Sequence, residues 1–151
     1  MSEYKYAILC EDDTHRTFVK HILPVLAKPT LPDIVVVEDE NFPVMAHNDD
    51  QVERKCFDAC RLAFVKYNVD IFVVCRDTDS VEVKKYHEIE TRLKKKLPQR
   101  WIDRTIIVLP VQCIEHWLLF LKQRIDNQST RKNDPIESIP RNEAKFIMYG
   151  K

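Results

Sequence analysis

A chain of 151 residues, 44% hydrophobic and 32% charged, has the composition of one ordinary globular domain, expected to bury roughly two-thirds of its unfolded surface. Its 24 basic residues balance 24 acidic ones, so no global field draws in a polyanion, and contact with nucleic acid would need a local patch. A single glycine, Gly150, excludes the glycine-lined phosphate cradles of P-loops and dinucleotide sites, and no apolar run approaches membrane-spanning length.

In chain order, Tyr4 to Cys10 reads as a first strand ending in Glu11-Asp12-Asp13. Asp13 or Thr14 is expected to cap the following helix, whose apolar positions Phe18, Val19, Ile22 and Leu23 recur at helical spacing. Pro24 is expected to bend or tighten that helix, with Pro29 and Pro32 marking its exit. Ile34 to Val37 form a second strand. From Gln51 to Tyr67 the apolar set Val52, Cys56, Ala59, Cys60, Ala63, Phe64 and Tyr67 predicts an amphipathic helix.

The third strand, Ile71-Phe72-Val73-Val74-Cys75, is β-branched and apolar without alternation, the pattern of a strand buried on both faces of a parallel sheet. It breaks into Arg76-Asp77-Thr78-Asp79-Ser80, and ligands of such sheets bind just beyond strand carboxyl ends. If the backbone stays extended there, its two-residue period aims Asp77 and Asp79 the same way.

Val83 to Leu97 describes a helix with a lysine-rich face, Thr105 to Leu109 a fourth strand, and Ile114 to Ile125 a further helix. Asn127 to Asn133 reads as linker, and Arg141 to Tyr149 as a short closing helix. The expected architecture is a single α/β domain over 1–151, with 127–151 as linker and short C-terminal helix. Its core is a doubly wound, Rossmann-like, mainly parallel four-stranded sheet with helices on both faces.

Strand order is open from the sequence. A 2-1-3-4 order would set Glu11 opposite Asp77 and Asp79, with Glu115 entering from the side after strand four. Crowded carboxylates either share protons or hold a cation, and oxygen ligands suit magnesium or manganese. Solvated, helix-capping acids are the structural alternative. Arg76 and His15 are the candidate phosphate-binding side chains. Five cysteines without paired spacing fit a reducing cytoplasm, and we expect them to be buried and inert rather than zinc ligands.

Glu11 after strand one, Asp77-x-Asp79 after strand three, and this β/α order resemble a Toprim domain, the metal-binding module of topoisomerases, bacterial primases and OLD-type nucleases. The segment Gln112-Cys113-Ile114-Glu115-His116-Trp117-Leu118 resembles that of small RloB-like Toprim relatives of prokaryotic defence loci. The resemblance covers nearly the whole chain through short motifs, and departs from the usual Toprim pattern where Asp12 replaces the glycine after the first glutamate. It implies a magnesium- or manganese-dependent nuclease: Glu11 as acid/base or metal ligand, Asp77 and Asp79 as metal ligands, and Glu115 as an auxiliary acid. It also implies nucleic acid, DNA or RNA, as substrate, and admits an ATPase partner and a homodimer.

The rival is a non-catalytic module, either Toprim-like or resembling a response-regulator receiver. For a receiver, Cys75 stands where the phosphoacceptor aspartate belongs, and no lysine ends strand four.

Overall fold

Four of the five residues of Ile71–Cys75 are completely buried, which is why this segment lies inside the sheet rather than at an edge. The computed structural model describes residues 2–126, 136 and 138–150. It falls into two compact units, Met1–Arg76 with Glu90–Val108, and Asp77–Ile89 with Leu109–Lys151.

The first unit holds the sheet. Strands β1 (Ser2–Cys10), β2 (Ile34–Glu38), β3 (Ile71–Cys75) and β4 (Thr105–Val108) are all parallel, in the order β2-β1-β3-β4. Cys10 pairs with Cys75, and Cys75 with Val108, so the three strands end at one edge. Helix α1 (Asp13–Ala27) packs on β1 and β2, while α2 (Asp49–Val65) packs on β1 and β3. Side-chain alternation separates their two faces. Tyr6, Ile8, Val73 and Cys75 cluster with Val19 of α1, while the intervening Ala7, Leu9, Phe72 and Val74 are buried on the opposite face. The sheet is therefore the expected doubly wound, Rossmann-like α/β arrangement.

Both long helices are capped from the residue before their first turn. Asn48, in extended conformation, accepts the Gln51 N–H at 2.9 Å. Asp12 does the same for the His15 N–H at 3.0 Å, so the cap of α1 is Asp12 and not the expected Asp13 or Thr14. The shift has a local cause: Asp12 still carries strand-like backbone angles, whereas Asp13 already opens the helix. Helix α1 passes through Pro24 and ends at Ala27. Asn48→Ala is expected to cost about 1 kcal/mol, read as a lower urea midpoint at unchanged slope.

Helix α3 spans Val83–Lys96, and a short 3-10 helix (Gln99–Arg104) stacks Trp101 on Phe64 at 5.1 Å before β4 begins. Part of the lysine-rich face is tied to carboxylates: Lys94 bonds Glu90, Lys84 pairs with Glu88, and the neighbouring Arg92 bonds Glu53.

In the second unit, helices α4 (Ile114–Asp126) and α5 (Arg141–Tyr149) pack together, and Ala144 of α5 is completely buried. The closing helix has the bounds expected from its sequence, while the expected linker, 127–133, lies outside the described residues. Among the described residues, no helix is long and apolar enough to cross a membrane.

Candidate metal centre

The candidate residues divide between the units. In the first, Glu11 follows β1 and lines a cavity of about 310 Å³ with Cys10, Asp13, Arg16, Met45 and His47. His15 is buried, and its Nδ1 lies 2.8 Å from Asp12 Oδ1. That bond is the main reason the Asp12 carboxyl is lowered to about 2, so Asp12 is ionised and its charge is directed at His15.

The sequence marks Arg76 as a candidate phosphate-binding side chain. It is 4% exposed and turned into the first unit instead, with Nη1 on Glu53 Oε1 at 2.6 Å and Nη2 on Asp49 Oδ2 at 3.1 Å. A guanidinium buried this deeply needs carboxylate partners, and α2 supplies both.

In the second unit the chain after β3 does not remain extended. Asp79 has φ +53°, in the left-handed region, so the two-residue period fails and Asp77 and Asp79 occupy different environments. Asp77 is buried, whereas the Asp79 side chain is more than a third exposed. The turn is held by Thr78 N–H to Pro110 O at 3.1 Å, Asp79 N–H to Gln112 O at 2.9 Å, and Gln112 N–H to Thr78 Oγ1 at 2.9 Å.

These bonds bring the segment carrying Asp77 against the start of α4. Asp77 Oδ1 accepts the N–H of Ile114, the first residue of that helix, at 2.9 Å. A carboxylate there satisfies an otherwise orphaned donor and faces the positive end of the helix dipole. Asp77, Cys113 and Glu115, all buried, each present a ligand atom within 4.8 Å of the others. Glu115 Oε1 is 3.8 Å from Lys145 Nζ, while Oε2 is buried without a hydrogen-bond partner among the described residues. A buried carboxylate oxygen with no donor is costly, and a bound cation is one way to offset that cost.

Burial, followed by hydrogen bonding with the Glu115 side chain and the charges of Glu115 and Asp77, pushes the Cys113 thiol up to about 12, so it stays protonated. The carbonyl of Ile139 can only accept, so His116 Nε2 at 2.7 Å must donate. His116 Nδ1 lies 3.1 Å from the Cys113 sulfur. Burial also pushes Cys56 up to about 12 and Cys60 to about 11, in line with the expectation of inert thiols. As described, the trio therefore offers two carboxylates and a protonated thiol, a donor set in which oxygen dominates.

Asp79 does not join the trio; it pairs with Arg141, which also reaches Asp77 Oδ2 at 3.5 Å. Arg141 and Lys145 are the site residues the sequence did not reveal. They lie one helical turn apart on α5, but no spacing rule connects them to acids so distant in the chain. Glu115→Gln is expected to stabilise the metal-free protein by about 1 kcal/mol, because it removes an incompletely bonded buried charge beside Asp77. Urea denaturation in excess chelator measures this.

No family model, curated protein or solved structure matches the chain.

Proposed function

We propose that the protein is a phosphodiester hydrolase acting on nucleic acid and dependent on Mg²⁺ or Mn²⁺, with its metal held by Asp77 and Glu115. The observation that carries this reading is the buried Glu115 Oε2, partnerless among the described residues, beside a second buried carboxylate. Hard divalent cations choose oxygen donors and retain waters that a phosphate can displace. A bound ion would polarise the phosphoryl oxygen and supply a water nucleophile at neutral pH.

The residues themselves do the positioning. Asp77 is oriented by the Ile114 N–H, and Glu115 is fixed in the first turn of α4. Glu11 and Asp79 enter the proposal through the Toprim resemblance of their sequence positions. Support for a polyanionic substrate lies on α2, where Arg54, Lys55, Arg61 and Lys66 line a groove of about 400 Å³ with one acid, Asp58. Clustered cations of this kind bind phosphate backbones in a salt-dependent way.

The test is incubation of plasmid, single-stranded DNA and RNA with Mn²⁺ or Mg²⁺, using Asp77→Asn and Glu11→Gln as controls. Metal-stimulated cleavage lost in Asp77→Asn is the expected result. Manganese bound without cleavage of any substrate would favour a second reading, a non-catalytic module. That reading has its own observation: Asp77 already caps α4 and pairs with Arg141, a structural role complete in itself.

A further inference from the structure

We propose that Arg141 and Lys145 are resident counter-cations of the acidic site, and that a divalent metal entering at Asp77 and Glu115 displaces them and loosens α5 from α4. The inference rests on the metal reading and assigns that site a regulatory element.

Residues 141 and 145 lie four apart on α5 and therefore share one helical face. That face delivers a guanidinium to Asp77 and Asp79 and an ammonium to Glu115. Two of these pairs are loose. Arg141 Nη2 stands 3.5 Å from Asp77 Oδ2, and Lys145 Nζ stands 3.8 Å from Glu115 Oε1, with both cations 38% exposed. Glu115 Oε2 receives no hydrogen bond from either. The acids are thus partly neutralised by monovalent charges that remain in reach of water.

A divalent ion carries twice the charge and approaches carboxylate oxygens to about 2.1 Å, closer than either nitrogen. Once it neutralises Asp77 and Glu115, Lys145 loses the carboxylate that draws it inward, and Arg141 is held by Asp79 instead of by both acids. Linkage makes the coupling reciprocal: what weakens the cation pairs must tighten metal binding.

The experiment titrates Mn²⁺ by calorimetry into the chain and into Arg141→Gln/Lys145→Gln, and follows backbone hydrogen exchange in α5 with and without Mn²⁺. The expected result is at least fivefold tighter Mn²⁺ binding by the variant and at least threefold faster α5 exchange in the unsubstituted chain when Mn²⁺ is added. If Mn²⁺ binds the chain, equal or weaker binding by a folded variant, or α5 exchange that is unchanged or slowed, overturns the counter-cation inference and leaves the metal reading standing. If neither protein binds Mn²⁺, both fall. If the double variant does not fold, exchange in the unsubstituted chain decides alone.

Discussion

If the protein is the metal-dependent hydrolase proposed above, Asp77→Ala is expected to abolish Mn²⁺-stimulated cleavage and also to destabilise the start of α4. The two effects have separate origins. Loss of a residue that merely orients a metal ligand typically costs about 10- to 100-fold in activity, so loss of a ligand itself is expected to cost more than about 100-fold. Removing the carboxylate also strips the Ile114 N–H of its acceptor in a place where Ile114 is completely buried. An unsatisfied buried donor costs about 1–3 kcal/mol. Asp77→Asn separates the effects, because the amide oxygen still accepts from Ile114 while the charge is gone. Comparing cleavage rates and urea midpoints of the two variants checks this. Full activity in Asp77→Asn would show that its carboxylate holds no metal.

Glu53→Ala is expected to destabilise the first unit by about 3 kcal/mol, the lower end of the range for breaking a buried ion pair. Glu53 Oε1 lies 2.6 Å from buried Arg76 and 2.8 Å from Arg92 of α3, and the Glu53 carbonyl accepts from Lys96. The hydrogen bond from Arg92 is the largest influence lowering the Glu53 pKa, with the charges of Arg92, Arg76 and Lys96 adding to it against partial burial.

The sign of the pH dependence follows directly. The unfolded carboxyl takes up a proton near 4.5, while the folded one holds its charge to lower pH. The charge-dependent stabilisation is therefore fully present above that value and lost as pH falls through the folded pKa. The gap in unfolding free energy between the unsubstituted chain and Glu53→Ala should be flat above about pH 5 and narrow steadily below 4.5. A gap that stays constant to pH 3 would assign the effect to lost packing.

The legible parts of this chain were those written in local pattern. The apolar run Ile71–Cys75 announced a buried parallel strand, and the periodicity of Arg141–Tyr149 marked a short helix, because both signals sit within a few residues. Asp77 and Glu115 stand out because ligands of parallel sheets bind just beyond strand carboxyl ends. What the pattern hid was decided by tertiary partners. Arg76 looked like a phosphate clamp until α2 presented Glu53 and Asp49 to it. Asp79 looked parallel to Asp77 until hydrogen bonds to the segment after β4 favoured a left-handed turn. Arg141 and Lys145 belong to acids far away in sequence, and nothing local in α5 distinguishes them from an ordinary solvated face.

The turn at 78–80 and the segment 110–112 exchange main-chain and Thr78 hydroxyl hydrogen bonds, and Asp79 and Gln112 both adopt positive φ to make the fit. Loops between strands and helices ordinarily absorb insertions and deletions with little penalty. These two do not have that liberty, since a residue added to either would break the register of both and carry Asp77 away from Cys113 and Glu115. Natural variants of this chain should therefore keep the two segments constant in length and vary together at their facing positions, with length changes confined to other connections.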